Sequence, residues 1–338
     1  MLEKVLLTGI SGFVGQHCAA ELLKAGYSVR GSLRDSGKAD AIRKAFEEAG
    51  VPTEALTFCV LDLLEDEGWE EAMKDCSYLL HVASPYQTRE PKDPDEYIRP
   101  AVEGTMRALK AAQKAGVKKV VITSSLVAML GDADRSLAID PTTWTNPGSR
   151  HASAYMKSKV LAEKRAWAYI NGLEEENAMQ LTTIHPGPIF GPTYTGEMSG
   201  ASLSMTKDLI TGRMPMLPKA AINMSDVRDV AQIHVQALKN DQASGKRLIV
   251  ATERPHEFIE PAQILKSKGY KKVRTKEAPT GLMKFMGLFV ADIKGMLPLV
   301  GKTYSATIEE TTQLLGWTPR SFEETVTDSA ASVQSFLD

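Results

Sequence analysis

The sequence predicts a doubly wound α/β fold, in which helices cover both faces of a largely parallel sheet. Short apolar, β-branched runs, each too short for a stable helix, alternate with helix-like stretches along most of the chain. This alternation requires crossover connections, which place the strands parallel in one sheet. The predicted strands are 4–8, 28–33, 56–61, 78–83, 119–124, 180–185 and 246–251. The predicted helices are 13–25, 38–50, 66–74, 96–115, 154–171 and 226–240.

A second, smaller region is predicted where the alternation fails. Proline and glycine become frequent at 185–192 and again at 211–218, and the strand-like run 246–251 then resumes the sheet pattern. We therefore expect the smaller region to be discontinuous in sequence. The predicted division assigns 1–185 and 220–251 to the sheet domain, and 186–219 and 252–338 to the smaller region.

The charge balance excludes partners that bind through a strong overall field. A net charge of −2 over 338 residues provides no field that would attract nucleic acid or an anionic membrane, so we expect neither partner. The first ten residues lack a signal-peptide pattern. The apolar stretch 281–300 is interrupted by Lys284, Asp292 and Lys294, which favours an amphipathic helix over a membrane span. We expect a cytoplasmic protein.

Cysteine and histidine spacing predicts no metal site. Cys18, Cys59 and Cys76 match neither a zinc ligand set nor a disulfide framework, so we expect reduced, structural thiols. The six histidines show no H-E-x-x-H or other ligand spacing.

The first strand runs directly into a glycine-rich turn and then into a helix. Glycines at such a turn let the backbone approach a pyrophosphate, and the free N–H groups and positive dipole end of the helix favour its negative charge. The pattern indicates a Rossmann-type dinucleotide site, although a turn that merely joins a strand to a helix is the simpler alternative. The predicted phosphate-binding residues are Thr8, Gly9, Ser11, Gly12, Phe13, Val14 and Gly15.

The end of the second strand favours NADP over NAD. Arg34 lies where NAD enzymes usually carry an acidic residue against the adenosine ribose, and Lys38 follows four residues later. A guanidinium fork and an ammonium together suit a 2′-phosphate. Alternatively both are solvated surface cations, and Asp35 is close enough to serve NAD. Asp62 and Leu63, after the third strand, are expected beside the adenine ring, with a helix cap as the alternative for Asp62.

Two further positions predict proton chemistry. Tyr155 and Lys159 are four residues apart and so project from one face of a helix. Free tyrosine titrates near pH 10, and a nearby ammonium lowers that pKa by favouring the phenolate. Tyr–Lys pairs with this spacing also occur often by chance on exposed helix faces, where they have no catalytic role. Ser125 follows the fifth strand at the sheet edge where ligands of open α/β folds bind, although a serine there often only satisfies a turn.

These motifs, in this order, resemble the extended short-chain dehydrogenase/reductase superfamily over nearly the whole chain. The sequences H-V-A-S-P at 81–85, R-P-A-V-E-G-T at 99–105 and H-P-G-P-I-F-G-P at 185–192 look most like its dihydroflavonol 4-reductase, cinnamoyl-CoA reductase and yeast-type methylglyoxal reductase branch. The ending L-G-W-T-P-R at 315–320 is similar to that branch as well.

The resemblance implies an NADPH-dependent carbonyl reductase that acts on a small-molecule ketone or aldehyde. It implies that Arg34 and Lys38 hold the 2′-phosphate and that Ser125, Tyr155 and Lys159 form a catalytic triad. The further expected cofactor contacts are Ala83, Ser84, Thr123, Ser124, Pro186, Gly187 and Ile189. The segment 126–153 is expected to border the substrate cleft, and 186–219 with 252–338 to bind substrate.

Departures from the family pattern limit what can be transferred. The N-W-Y-C-Y motif of cinnamoyl-CoA reductases is absent, and Leu130 stands where flavonoid reductases carry a substrate-holding Asn, so neither plant activity is assigned. Two alternatives remain at this point: an NAD-dependent nucleotide-sugar epimerase or dehydratase, and a non-catalytic dinucleotide-binding redox sensor. We expect a monomer or homodimer.

Overall fold

Strands and helices alternate along the computed structural model, which describes residues 2–84, 90–198 and 200–337. The strands are β1 Lys4–Thr8, β2 Ser28–Leu33, β3 Leu56–Val60, β4 Tyr78–His81, β5 Lys119–Thr123, β6 Leu137–Ile139, β7 Gln180–Pro186, β8 Ile189–Phe190, β9 Leu217–Pro218, β10 Ala221–Ile222, β11 Ser225–Asp226, β12 Arg247–Val250, β13 His256–Glu257, β14 Glu277–Ala278 and β15 Thr303–Ala306. The helices are α1 Phe13–Lys24, α2 Ala39–Glu48, α3 Trp69–Met73, α4 Asp95–Lys114, α5 Ala154–Asn171, α6 Ala201–Thr211, α7 Val227–Lys239, α8 Glu260–Ser267, α9 Thr280–Met286, α10 Ala291–Met296, α11 Glu309–Leu315 and α12 Phe322–Ser335.

Seven parallel strands form the main sheet in the order β3-β2-β1-β4-β5-β7-β12. Strands β2 and β3 extend the sheet on one side of β1, and β4, β5, β7 and β12 extend it on the other. After β3 the chain crosses back over the sheet to add β4 on the other side of β1. The strand order therefore changes direction between β1 and β4, and this switch point opens a crevice at the carboxyl ends of these two strands. The predicted doubly wound α/β fold is confirmed.

Both faces of the sheet are buried, as an all-parallel sheet requires. Val5 and Leu7 of β1 point into one apolar core, which they share with α1, α2 and α7. Leu6, between them, points into the opposite core with α3 and α4. All three side chains are inaccessible to solvent. Helix α5 contributes to both cores, with Met156 in the first and Ala166 in the second.

The predicted element boundaries differ from the structure where side chains or glycines intervene. Strands β1 and β2 and helix α5 have the predicted bounds. Strand β4 ends at His81 rather than 83, because the N–H groups of Val82 and Ala83 donate to the Thr8 hydroxyl instead of a strand partner. Helix α3 begins at Trp69 rather than 66, because Gly68 before it has a left-handed φ of 84°.

Outside the main sheet, the chain forms a four-stranded sheet in the order β13-β10-β15-β6 and a separate apolar cluster. That cluster joins α6, α8 and α12. The stretch 281–300 forms the two short helices α9 and α10 rather than one, with Phe285, Leu288 and Phe289 exposed. Within the described ranges, no helix combines the length and hydropathy needed to cross a membrane. The division into a sheet domain and a substrate-binding region stays a prediction.

The three cysteines are free thiols, and Cys18 and Cys76 are buried. Burial raises the pKa of Cys59 to about 11.

Gly15 is required by packing, because a Cβ at this position would overlap the carbonyl oxygen of Gly9 and approach the Cα of Ile10 to 3.1 Å. We expect Gly15→Ala to lower the free energy of unfolding of the cofactor-free protein by about 1–3 kcal/mol, a typical penalty for overpacking. Denaturant unfolding measures the change. Gly281→Ala is the matched control, because a Cβ on Gly281 of α9 meets nothing within 4 Å. An equal loss in both variants would contradict the packing argument.

Candidate active site

The glycine turn is held tightly against the end of β4. Gly9 has a φ of 75°, and a Cβ on it would lie 3.0 Å from the Cα of Ala83. The N–H of Gly9 donates to Ser32 Oγ at 3.1 Å, and the N–H of Ile10 donates to the Ser32 carbonyl at 3.2 Å. The N–H of Gly12 closes the turn on the Gly9 carbonyl at 3.0 Å. Ala83 thus borders the turn, and its contact with a cofactor stays a prediction.

Gly12 differs from Gly9 and Gly15, because neither backbone conformation nor packing within the protein requires a glycine at this position. A Cβ on Gly12 would make only one ordinary contact, 3.4 Å from the Gly9 carbonyl oxygen, and its φ of −83° suits any residue. No side chain caps the first turn of α1, which begins at Phe13. This leaves space and backbone N–H donors from Phe13 and Val14 for an anion. The turn fits a dinucleotide pyrophosphate.

Thr8 holds the loop rather than presenting its hydroxyl to the crevice. Its Oγ1 accepts from the N–H groups of Val82 and Ala83 at 3.1 and 3.0 Å and lies 3.0 Å from His81 Nδ1. The carbonyl of Ser11 accepts from Gln16 Nε2 at 3.0 Å. Burial lowers the pKa of His81 to about 3, so the imidazole is neutral. The hydroxyl of Thr8 therefore joins β1 to β4.

The end of β2 carries the predicted cations at the surface. Arg34 is exposed, and no ion pair to it is found among the described residues. Lys38 Nζ lies 3.1 Å from Glu197 Oε2, in a pair whose side chains are 51% and 34% exposed. Asp35 Oδ1 accepts from the N–H of Gly37 at 2.9 Å and so caps the 3-10 turn that follows. Arg34 is thus accessible to an anion, while Asp35 is engaged locally.

Asp62 and Leu63 lie after β3. Asp62 Oδ1 accepts from the N–H of Leu64 at 2.8 Å, which closes a turn and does not cap a helix, since α3 begins only at Trp69. Leu63 packs against α4, where a Cβ on Gly104 would lie 2.8 Å from the Leu63 Cβ. Ser84 is half-buried beyond β4. Pro85, the last residue of the H-V-A-S-P motif, lies outside the described residues.

Tyr155 and Lys159 lie on successive turns at the start of α5. The hydroxyl of Ser153 accepts from the N–H of Met156 at 3.3 Å and so caps the helix just before Tyr155. Lys159 Nζ lies 5.9 Å from the Tyr155 ring centroid and donates to the Thr123 carbonyl at 3.5 Å. Burial lowers the pKa of Lys159 to about 8, and Glu163 opposes this shift. The two side chains therefore lie near each other on α5, and Lys159 is buried.

The hydroxyl side chains after β5 point in different directions. Ser125 Oγ donates to the Pro186 carbonyl at 3.4 Å and accepts from the N–H of Val127 at 3.3 Å, so it also caps the turn Leu126–Met129. Ser124 Oγ instead donates to Glu163 Oε2 at 2.7 Å. Thr123 Oγ1 lies 2.7 Å from His234 Nε2. The Ser124 and Thr123 hydroxyls are therefore engaged inside the protein, whereas Ser125 lies against the end of β7.

The Pro186–Ile189 loop packs against β11 and the residues just before it. A Cβ on Gly187 would overlap the carbonyl oxygen of Asn223, so no other residue fits. The N–H of Gly187 donates to Ser225 Oγ at 2.9 Å, and Ile189 of β8 is paired with Ser225 of β11. These contacts hold the loop at the same sheet edge as Ser125 and the glycine turn.

The buried polar residues that surround this site were not predicted from the sequence. Glu163, His185 and Arg247 form a network behind Ser124 and Lys159. Glu90 Oε1 accepts from the N–H of Ala154, at the first residue of α5, at 2.8 Å. The signal for Glu163 was its position four residues after Lys159, on the same helix face. In the part of the chain that the structure describes, no three His, Cys, Asp or Glu side chains are arranged to hold a metal ion.

A glycine turn at the reversal point of a seven-stranded parallel sheet, with the first helix turn open to an anion, defines a dinucleotide-binding α/β protein. Comparison with known proteins gives the family. The model of the NAD dependent epimerase/dehydratase family matches residues 5–251, and the chain belongs to that family.

Individual relatives are reductases by name. The chain is 28% identical to an NADPH-dependent methylglyoxal reductase of Saccharomyces cerevisiae, over 98% of each chain. It is 32% identical to cinnamoyl-CoA reductase 1 of Petunia hybrida, over 73% of this chain and 72% of the relative. Among solved structures, it is similar to the yeast methylglyoxal/isovaleraldehyde reductase complexed with NADPH, with a TM-score of 0.81, 26% identity and 99% coverage of both chains.

The contrast between Gly12 and Gly15 yields a binding prediction. We expect Gly12→Val to keep the fold of the cofactor-free protein, because the position is extended and uncrowded, and to abolish dinucleotide binding, because the side chain fills the pyrophosphate space. Isothermal titration with NADPH and with NADH, alongside thermal unfolding, measures both effects. Unchanged affinity for both dinucleotides would show that the pyrophosphate lies elsewhere.

Proposed function

We propose that this chain is an NADPH-dependent carbonyl reductase that converts a small ketone or aldehyde to the alcohol through Ser125, Tyr155 and Lys159. The observation that carries the proposal is the buried ammonium of Lys159 beside the Tyr155 ring, at the sheet edge onto which the glycine turn opens. The reductase names of its relatives support the reaction class.

The proposed roles follow from the chemistry of each group. NADPH, when bound at the glycine turn, supplies the hydride that is added to the carbonyl carbon. Tyr155 donates the proton from its hydroxyl to the carbonyl oxygen, and Ser125 donates a hydrogen bond to that oxygen from Oγ. Lys159 remains an ammonium below its pKa of about 8 and favours the phenolate that Tyr155 leaves behind.

The preference for NADPH is proposed from the end of β2. Arg34 is exposed, and Lys38 reaches the same surface, where Glu197 is its present partner. A 2′-phosphate offers both cations a stronger, multiply charged acceptor than one carboxylate. Asp35 caps its own turn through Gly37, which argues against its use as a ribose ligand for NAD. This favours a reductase over an NAD-dependent epimerase.

The proposed substrate is a small aldehyde or ketone, for which methylglyoxal is the first compound to test. Leu130 is 1% exposed and presents no polar group to a substrate, unlike the Asn of flavonoid reductases. The segment 126–153 is fixed by Thr145, whose hydroxyl donates to the Val127 carbonyl and accepts from the N–H of Leu130, both at 2.7 Å. A cytoplasmic location and a monomeric or homodimeric state stay predictions.

We expect Arg34→Ala to raise the KM for NADPH by 10-fold or more and to leave that for NADH nearly unchanged, because one charge-assisted contact is worth about 1.5–3 kcal/mol. Steady-state rates of methylglyoxal reduction with each cofactor measure the change. Lys44→Ala is the control, since Lys44 is 76% exposed on α2 and pairs with Glu48. A wild-type enzyme that uses NADH as well as NADPH would contradict this assignment.

We expect Tyr155→Phe to lower kcat by about 10²–10⁴-fold with NADPH binding retained, because only the proton donor is lost. Lys159→Ala should lower kcat similarly and also weaken NADPH binding, through the ribose contact that the family resemblance implies. Tyr169→Phe is the matched control, because Tyr169 lies at the far end of α5 and its hydroxyl binds Gln113. A Tyr155→Phe enzyme within a few-fold of the wild type would remove Tyr155 as the acid.

Wild-type kcat for reduction is expected to fall as pH rises through about 8, because the lowered pKa of Lys159 means that the ammonium is lost there. A pH profile with saturating NADPH measures this decline.

A further inference from the structure

Glu163 is a charged side chain buried behind the site, with a 2% exposed surface. Its Oε2 accepts from Ser124 Oγ at 2.7 Å, and its Oε1 accepts from Arg247 Nε at 2.7 Å and Thr183 Oγ1 at 3.1 Å. The donors come from the end of β5, from β12 and from β7. Burial alone would raise the pKa of this carboxyl, but His185 and Arg247 hold it well below its ordinary value. Glu163 is therefore an anion.

The same carboxylate reaches the backbone of Ser125 through His185. The imidazole Nε2 lies 3.1 Å from Glu163 Oε1, and Nδ1 donates to the Ser125 carbonyl at 3.2 Å. His185 is completely buried on β7. Glu163 thus contacts the side chain of Ser124 directly and the main chain of Ser125 through one ring. The Ser124–Ser125 segment is therefore held both by the hydrogen bond from the Ser124 hydroxyl to Glu163 and by the hydrogen bond from His185 to the Ser125 carbonyl.

Glu163 also lies one turn after Lys159 on α5, so the two side chains share a helix face. Lys159 is 8% exposed. Tyr155 faces it from the same helix, and His81 faces it from β4, where burial first and then Lys159 keep the imidazole neutral. Glu163 is the anion that opposes the loss of the Lys159 proton.

Arg247 balances the charge of Glu163 and connects it to the segment 126–153. Its guanidinium lies 3.6 Å from the Trp144 ring centroid. Its Nη1 donates to the carbonyls of Pro141 and Thr143 at 2.7 and 2.8 Å. A planar guanidinium can make these contacts simultaneously, because its donors diverge in one plane while its face stacks on the ring. The counter-ion is therefore anchored by the segment expected to border the substrate cleft.

We propose that Glu163 is a positioning residue of the active site: one buried carboxylate fixes the Ser124–Ser125 segment relative to the helix that carries Tyr155 and Lys159, and supplies the negative charge that keeps Lys159 an ammonium. The proposal rests on the proposed reductase function. It assigns no contact between Glu163 and the substrate or the cofactor. Arg247 acts as the counter-ion that keeps the carboxylate in place.

The negative charge of Glu163 predicts the direction in which the pH dependence of kcat should shift when the charge is removed. A nearby anion disfavours proton loss from a lysine and from a tyrosine alike. Its removal therefore lowers the pH at which either group titrates, whichever of the two controls the reaction. The fall of kcat at high pH, here called the alkaline limb of the pH profile, must then move to lower pH. A residue that only supports folding would change the amount of active protein but not the position of the limb.

The experiment compares kcat for methylglyoxal reduction against pH, with saturating NADPH, in the wild type and in Glu163→Gln. We expect kcat to fall by about 10²-fold at neutral pH, the typical effect of misplacing a catalytic group. The alkaline limb should move down by about one pH unit. Glu163→Asp keeps the charge and shortens the reach, so its limb should stay at the wild-type pH while its kcat falls.

Glu70→Gln is the matched control for removing a paired carboxylate, because Glu70 of α3 is 71% exposed and pairs with Lys114 rather than with any residue of this network. Its kcat and limb should equal those of the wild type. A Glu163→Gln enzyme with wild-type kcat and limb overturns the proposal. A reduced kcat with an unmoved limb also overturns it, since Glu163 would then act on stability alone.

If Glu163→Gln is not recovered folded, the double variant Glu163→Gln/Arg247→Met decides the matter, because it removes both buried charges together. The proposal expects this variant to fold and to have a reduced kcat; a folded double variant with wild-type kcat overturns the proposal. Failure of the proposed function is visible separately, since the wild type itself would then show no NADPH-dependent carbonyl reduction.

Discussion

The contact between the glycine turn and the end of β4 is the constraint on which the site depends. The Thr8 hydroxyl accepts two N–H groups at this end, and Gly9 approaches Ala83 so closely that a Cβ would lie 3.0 Å from its Cα. Because β1 and β4 are the two strands between which the sheet reverses, this contact sets the floor of the crevice. The start of α1 is aimed by the same turn, since Gly15 packs directly on the Gly9 carbonyl. The position of any pyrophosphate therefore follows from packing between two strands.

Beyond this contact, α1 also connects the glycine turn to the segment after β8. Gln16 Nε2 donates both to the Ser11 carbonyl and to Thr195 Oγ1, at 3.0 and 2.9 Å. His17 Nε2 donates to the Pro192 carbonyl at 2.8 Å, and burial lowers its pKa to about 4, so this bond is made by a neutral ring. The same segment continues to Glu197, the partner of Lys38. The proposed cofactor site and the predicted substrate-binding region are thus joined by hydrogen bonds that do not require a bound ligand.

The sequence was most informative where a local pattern determines the structure. Strands β1 and β2 follow from short β-branched runs, and the glycine turn and the Tyr155–Lys159 pair follow from spacings of a few residues. Prediction was weaker for Thr8, Asp62 and Ser124, because a short polar side chain can serve a ligand or a neighbouring backbone group equally well. The network of Glu163, His185 and Arg247 could not be predicted, since it joins residues that are distant in sequence and belong to different elements. The stretch 281–300 forms two helices rather than one, and Gly287 between them packs on Leu297, a contact that its composition does not encode.

Charge inside the site is balanced locally, and this explains how a lysine is tolerated there. An isolated buried ammonium readily loses its proton, and burial does lower the pKa of Lys159 to about 8. Two interactions offset the cost of burying this charge. They are the hydrogen bond to the Thr123 carbonyl and the electrostatic attraction of Glu163. The Glu163 carboxylate is stabilised in turn by His185 and Arg247. Arg247 stacks on the Trp144 ring and donates to the carbonyls of Pro141 and Thr143. Each charge is thus stabilised by the next, from α5 through β12 to the segment 126–153. A change at the outer end of this series should therefore alter the ammonium beside Tyr155 without touching the glycine turn.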